Sequence, residues 1–197
     1  PETAYTLDIG AGIDTATVKG STAAFVRYTK DEISWGDDPT TPLDPYDYTP
    51  LNLGSTFVPG IEADVSLQLP FGFFASGNYT LAYSFLLEDG SGKSLSLSDD
   101  RRVPNLPTHS GGISVGFEKA GNRIELSGDF VSSQYLDTAN TKTLDGHAVF
   151  NIEYERMFSE NAKASFAVKN LFNAVYENVS GYLAPPISFW TGVSVSF

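Results

Sequence analysis

The segment FFASGNYTLAYSFLL (Phe73 to Leu87) contains the clearest evidence for the fold class of the chain. Every second side chain, counted from Phe73, is apolar or aromatic or is a glycine, while the positions from Ser76 to Ser84 between them are small or polar. Successive side chains of a β-strand point to opposite faces. The stretch therefore predicts one long strand with an apolar face and a polar face.

The same two-residue alternation recurs along most of the chain. It predicts eight further strands, at about residues 5–13, 18–28, 61–69, 113–117, 124–130, 148–154, 164–168 and 187–197. No segment combines helix caps with an apolar stripe of 3.6-residue period strongly enough to compete with these strands. The sequence therefore predicts an all-β protein with nine strands.

The connections between the predicted strands alternate in length. Short turns are predicted near residues 14–15, 70–72, 119–122 and 157–162, and long connections near 32–50, 88–106, 134–146 and 173–186. Outer-membrane β-barrels have short periplasmic turns and longer extracellular loops. Strands of about ten residues also suit a tilted membrane strand, whereas soluble strands usually have about five or six. The pattern favours an antiparallel transmembrane β-barrel segment.

The composition of the chain argues against some classes of function. The 197-residue chain has a net charge of −12, which argues against nucleic acid as a partner, because phosphates require a basic surface. It contains no cysteine, so disulfides and thiolate chemistry are absent from its sequence. Only 18% of its residues are charged and 41% are hydrophobic, a balance that suits strands between lipid and a polar lumen.

The strand count predicts a piece of a larger barrel. Nine strands would run from an extracellular start to a periplasmic end at Phe197, whereas complete bacterial barrels have an even number of strands. Nine strands also leave two open edges, and lipid cannot satisfy their backbone groups. We therefore expect further strands to close this barrel.

Charged side chains on the polar stripes are expected to face the lumen. An arginine or lysine on the lipid face at the midplane would cost about 2–4 kcal/mol. In a larger barrel these side chains would form ion pairs or pack against a plug domain. The predicted lumen-facing residues are Arg27, Glu62, Asp64, Glu125, Asp129, Glu153, Glu155 and Lys169.

Four aromatic residues in the predicted extracellular loops are candidates for ligand contact: Trp35, Tyr46, Tyr48 and Tyr182. They could stack on a ligand, or they could belong to the aromatic belt at the membrane interface. The sequence does not separate these two roles.

Neither catalysis nor a resident metal is expected. The acids of residues 31–47 match no calcium-binding loop, and prolines interrupt them. His109 and His147 accompany no nucleophile-elbow pattern, so we expect no hydrolase and no cofactor.

Five motifs, in order, resemble those of the TonB-dependent outer-membrane receptors. They are Pro1-Glu2-Thr3 with Tyr5 and Leu7, Asn52-Leu53-Gly54 through Gly60-Ile61-Glu62, Val103-Pro104-Asn105-Leu106-Pro107-Thr108-His109, Asn170-Leu171-Phe172-Asn173 with Tyr176-Glu177, and the terminal Phe197 after alternating apolar residues. Together they span almost the whole chain.

The resemblance implies that residues 1–197 are the C-terminal nine strands of a larger, 22-stranded barrel without its plug domain. It also implies an outer-membrane transporter that imports a scarce nutrient, above all a ferric siderophore, with energy from the TonB complex through an N-terminal segment missing here. Val193, Val195 and Phe197 would form the signal read by the barrel-assembly machinery. A porin or adhesin fragment and a soluble all-β binding module are the alternatives.

Overall fold

The computed structural model describes residues 1–37, 48–88 and 93–196. The strands are β1 (Thr3–Asp14), β2 (Val18–Asp37), β3 (Tyr48–Gln68), β4 (Phe73–Ala82), β5 (Phe85–Leu86), β6 (His109–Lys119), β7 (Asn122–Val131), β8 (Gln134–Tyr135), β9 (Thr143–Leu144), β10 (His147–Ser159), β11 (Ala162–Lys169), β12 (Glu177–Val179), β13 (Tyr182–Leu183) and β14 (Ser188–Val195). The helical elements in these ranges are two 3₁₀ turns, Pro70–Gly72 and Leu97–Asp99. The described part of the chain has no helix long and apolar enough to cross a membrane.

Nine long strands form one antiparallel sheet in the order β1-β2-β3-β4-β6-β7-β10-β11-β14. Each strand therefore pairs with the next long strand along the chain, and the sheet does not close on itself within the described residues. The predicted all-β class, the antiparallel pairing and the nine long strands are confirmed. Short turns account for four of the eight pairings, because each leaves its two strands next to each other, and the other four are formed across the long connections.

The register separates a polar face from an apolar face. Residues directly opposite each other in a ladder share a face, so a row runs from Ser21 through Asp64, Asn78 and Gly112 to Asp129. The opposite face, called the apolar face below, carries large side chains that stay exposed. Ile9, for example, is 77% exposed. Monomeric soluble proteins rarely leave so large an apolar surface uncovered, so this face requires an apolar environment.

The hairpin of β2 and β3 is longer than predicted. The sequence placed a long connection at residues 32–50, but β2 continues to Asp37 and β3 already begins at Tyr48. The pairing shifts between Thr29 and Ile33, where Asp31 has a φ of 55°. Such a bulge breaks the two-residue alternation, which is why periodicity did not reveal the continuing strands. With 20 and 21 residues, these strands exceed the roughly ten needed to span a membrane.

The strand predicted for residues 73–87 is shorter than its pattern. β4 ends at Ala82, and the separate strand β5 pairs with Thr56 and Phe57 of β3. Leu86 is 1% exposed and lies with Leu53 and Val103 in a small core, with Leu95 and Leu106 packed against it. Leu86 falls among the positions that carry small or polar residues in this stretch, so it lies on the polar face and fills the core, whereas the apolar stripe runs on through Phe85 and Leu87.

This core lies at the end of the sheet where the long connections are. Thr29, Thr56 and Leu86 are neighbours in one row on the polar face, and each is at most 1% exposed. Leu95, Val103 and Leu106 of the following connection therefore cover the polar face at this end. At the opposite end the turns are tight. The β6–β7 turn has positive φ at Ala120 and Gly121 (50° and 74°), as a type I′ hairpin turn requires.

Candidate functional site

The charged residues that the sequence predicted to face the lumen lie together on the polar face. Arg27, Glu62, Asp64, Glu125, Asp129, Glu153, Glu155 and Lys169 all share this face by register or by alternation along their strands. The role of this face as the lining of a closed lumen stays a prediction.

Several charged side chains of the polar face form ion pairs, within one strand or between neighbouring strands. The guanidinium of Arg123 lies 2.7 Å from carboxylate oxygens of both Glu118 and Glu125, and 4.1 Å above the ring centre of Phe74. Sequence reasoning missed Arg123, although its position opposite Glu118 in a predicted hairpin is a detectable signal. These pairs are partly exposed, so each contributes at most about 1 kcal/mol to stability. Their main effect is to fix the side chains along the face.

Two lysines of β11 form ion pairs with glutamates of β10 in the same way. The ammonium of Lys163 lies 2.7 Å from Glu155, and that of Lys169 lies 3.6 Å from Glu153. Asp64 accepts a hydrogen bond from the hydroxyl of Ser21. The polar face is thus a network of hydrogen-bonding groups with acids in excess.

A depression of about 490 Å³ lies where three long connections meet the sheet. Its polar lining is Asn105, Gln134, Asp145, His147, Glu177 and Asn178. Carboxylates, amides and an imidazole around one space can bind a polar ligand through several hydrogen bonds. The sequence did not single out this set, because its members are spread over more than seventy residues and no periodic pattern links them.

His147 forms one wall of the depression. It opposes Val131 in the ladder and therefore belongs to the polar face. Its ring stacks on Tyr176 with 4.3 Å between ring centres, and its buried Nδ1 has no hydrogen-bond partner among the described residues.

Two of the long connections are joined beside the depression. The side chain of Asn140 accepts a hydrogen bond from the backbone N–H of Arg102 (2.7 Å) and donates one to its carbonyl (3.1 Å). Arg101 donates from Nη1 to the carbonyl of Thr138 at 2.9 Å. These contacts join residues 101–102 of one connection to residues 138–140 of the next.

Asp137 organises the second of these connections and makes it sensitive to acid. Its carboxylate accepts hydrogen bonds from the hydroxyl and N–H of Thr141 (2.6 and 2.8 Å) and from the N–H of Lys142 (2.9 Å). Burial by itself would raise the pKa of Asp137, but the hydrogen bonds from Thr141 and Lys142 outweigh it and lower the pKa below 3.8, its usual value.

We therefore expect the 137–142 turn to be stable at neutral pH and to open in acid. A carboxyl with a lowered folded pKa contributes stability above its unfolded pKa of 3.8, and this is lost as pH falls through the folded value. Amide protection factors of residues 137–142 should be constant from pH 7 to about 5 and fall below about 4. The Asp137→Asn variant should lack this dependence. Loss of protection already above pH 5 would contradict the assignment.

Of the four aromatic candidates, Tyr182 is the one whose side chain the structure describes, and it does not line the depression. Trp35 pairs with Pro50, and Tyr48 with Asp37, in the extended β2–β3 hairpin, and Tyr46 lies outside the described residues. Tyr182 is 68% exposed in the short β12–β13 hairpin. Their role in ligand contact stays a prediction.

At the end of the chain, Val193 and Val195 lie on the apolar face, 82% and 54% exposed. Phe197 lies outside the described residues. The assembly signal proposed for these three residues stays a prediction.

Solved structures with the same fold are receptors and transporters. The unliganded ferric citrate transporter FecA matches all of this chain with a TM-score of 0.78 at 20% identity, and the copper transporter OprC matches all of it with 0.76 at 19%. The siderophore receptor PiuA from Acinetobacter baumannii matches 98% of it with 0.74 at 21%. The chain spans only 32%, 31% and 28% of those three proteins, respectively.

Sequence comparison gives the family. No curated protein sequence matches the chain. The family model described as "TonB dependent receptor-like, beta-barrel" matches residues 1–171, which is most of the chain. The chain therefore belongs to the family of TonB-dependent receptor β-barrels.

Proposed function

We propose that this chain is part of the barrel wall of an outer-membrane transporter that imports a scarce nutrient with energy from the TonB complex. The observation that carries the proposal is the division of nine antiparallel strands into an exposed apolar face and a charged polar face. Such a sheet suits lipid on one side and a polar lumen on the other. Family membership agrees with transport and argues against an enzyme or a soluble binding module.

Further strands would complete this barrel. β1 and β14 each pair with only one neighbour in the described sheet, and an open edge leaves backbone groups that lipid cannot satisfy. We propose a 22-stranded barrel in which residues 1–197 are the C-terminal strands, assembled by the barrel-assembly machinery. A plug domain would occupy the lumen against residues such as Glu62, Asp129 and Glu153.

A ferric siderophore is the cargo class we propose. Two of the similar structures are named as a siderophore receptor and a ferric citrate transporter. The depression lined by Asp145, His147 and Glu177 offers hydrogen-bonding groups at the long-connection end, where an external ligand arrives. Iron would arrive already held by the siderophore, so the barrel itself needs no iron ligands.

Uptake by the full-length protein tests this function. Cells that produce it should accumulate ⁵⁵Fe from ferric hydroxamate, catecholate or citrate complexes, and accumulation should saturate and stop when TonB is deleted. Uptake that is linear in concentration and indifferent to TonB would instead indicate a passive porin.

A variant set tests the depression. Replacing Asp145 by Asn, His147 by Ala and Glu177 by Gln should raise the half-saturating concentration at least about tenfold, because several hydrogen bonds of about 1 kcal/mol each are lost. The matched control replaces Glu155 by Gln and Lys163 by Gln, an ion pair on the same face but at the other end of the sheet. Equal effects of both sets would contradict a ligand site in the depression.

A further inference from the structure

We propose that the apolar face carries a binding site for the phosphate of an anionic phospholipid, formed by Lys119 and Arg156 at the short-turn end of the sheet. The proposal rests on the proposed function, which places the apolar face in the membrane and the short turns at the periplasmic side. The ligand is therefore a phospholipid of the periplasmic leaflet, such as phosphatidylglycerol.

Three neighbouring strands bring the two cations into one row. Lys119, the last residue of β6, pairs with Asn122, the first residue of β7. Asn122 pairs on its other side with Arg156 of β10. All three side chains therefore share the apolar face. Strands lie about 4.8 Å apart, so the α-carbons of Lys119 and Arg156 are about 10 Å apart, a distance that two long side chains can close around one phosphate.

The turn between the strands fixes this arrangement. The Nδ2 of Asn122 donates to the carbonyls of Lys119 and Ala120 at 3.3 Å each, and its Oδ1 accepts from the hydroxyl of Tyr154 at 2.8 Å. The Nη1 of Arg156 donates to the carbonyl of Ala120 at 3.0 Å. Asn122 is thus a spacer whose hydrogen bonds are used within the protein, and the two cations stand on either side of it.

No acid in the described part of the chain neutralises either cation, since no ion pair includes Lys119 or Arg156. Arg123, Lys163 and Lys169 on the polar face, in contrast, each lie within 3.6 Å of a carboxylate.

The acids closest in sequence to Lys119 and Arg156 form no ion pair with them. Glu118 and Glu155 face the other side and pair with Arg123 and Lys163. Glu160 lies in the exposed β10–β11 turn and forms no ion pair with a described residue. The positive charge of the row is therefore free for an external anion.

The next row inward fits the boundary between headgroups and acyl chains. Phe117 pairs with Phe73 on one side and with Ile124 on the other, and Ile124 pairs with Tyr154. The rings of Phe73 and Phe117 are 5.1 Å apart. Aromatic side chains concentrate at this depth of a membrane, with basic side chains at the headgroup level.

One row further in, an apolar groove of about 410 Å³ begins. Ala75 and Gly77 form its floor, and Val65, Tyr79 and Ile113 flank it. At about 3.3 Å per residue, the groove runs about 13 Å from Ala75 to Tyr79, close to the roughly 15 Å of one hydrocarbon leaflet. Cations, aromatic rings and groove follow each other in the order of a phospholipid's phosphate, glycerol region and acyl chain.

Native mass spectrometry of the full-length protein, delipidated in detergent and titrated with phosphatidylglycerol, tests the site. The wild type should retain one molecule of phosphatidylglycerol in preference to zwitterionic phosphatidylcholine. Replacing Lys119 and Arg156 together by Gln should weaken this binding about 10- to 30-fold, because each basic residue near an anionic headgroup contributes roughly one factor of five. The charge-matched control, Lys163→Gln with Lys169→Gln, should bind as the wild type does.

A second variant separates charge from folding. Lys119→Arg with Arg156→Lys keeps both charges, so it should retain phosphatidylglycerol. Equal weakening in both Gln pairs would overturn the site, because only net charge would then matter. Equal retention of phosphatidylcholine, or displacement by millimolar inorganic phosphate, would overturn the phospholipid assignment.

The uptake assay distinguishes this inference from the proposed function. If TonB-dependent uptake occurs while the Lys119/Arg156 pair proves irrelevant to lipid binding, only the phospholipid site is wrong. If the full-length protein does not insert into the outer membrane, both are wrong.

Discussion

Replacing Leu126 by arginine is expected to destabilise the membrane-inserted protein by about 2–4 kcal/mol, the cost of a basic side chain on the lipid face of a barrel near the midplane. Leu126 lies about halfway along β7 on the apolar face and is 42% exposed. Its neighbours in the row are Val115 and Ile152, both apolar, so the guanidinium would find no acid to pair with. Equilibrium urea unfolding of the full-length protein in phospholipid vesicles measures the effect.

The adjacent residue provides the matched control. Ser127 lies on the polar face, in a row with Ser114 and Asn151, and two residues from both Glu125 and Asp129. Ser127→Arg introduces the same side chain in the same strand and should change the free energy of unfolding by less than about 1 kcal/mol. If Ser127→Arg lowered the free energy of unfolding more than Leu126→Arg does, the apolar face would not contact lipid. Both the proposed function and the phospholipid site would then fail.

Replacing Leu86 by alanine is expected to cost about 2–5 kcal/mol, as for other leucines removed from packed cores. Leu86 is 1% exposed and forms the small core with Leu53 and Val103. This core holds residues 93–106 over the polar face, so its loss should release these residues while the long strands stay paired. Hydrogen exchange should therefore increase in residues 93–106 and stay unchanged in β6 and β7.

Leu97 in the same connection is the control for this prediction. It is 53% exposed, so Leu97→Ala removes the same atoms with little loss of burial and should change stability by less than about 0.5 kcal/mol. If Leu86→Ala and Leu97→Ala had equal effects, the core would not be what orders the connection.

The nine long strands, and the two faces on which their side chains alternate, could be predicted from the sequence. Alternation with a period of two follows directly from strand geometry, so the apolar stripe of Leu7 and Ile9 and the charged stripe of Glu153 and Glu155 could be separated without a structure. The short turns likewise indicated four antiparallel hairpins, because a short turn leaves its two strands next to each other, whereas the pairings across the long connections come from the structure. The family motifs agreed with both.

Only the tertiary structure shows where each strand ends and which sites the connections form. The bulge at Asp31 carries β2 into a stretch without regular alternation, and Leu86 interrupts the alternation of residues 73–87 because it fills a core on the polar face. The polar face also holds Phe74, whose ring covers Gly116, and a Cβ there would collide with it.

The depression around His147 and the row of Lys119 and Arg156 likewise join residues from different hairpins. Periodicity describes one strand at a time, whereas burial, bulges and these sites depend on which strands and connections meet in space.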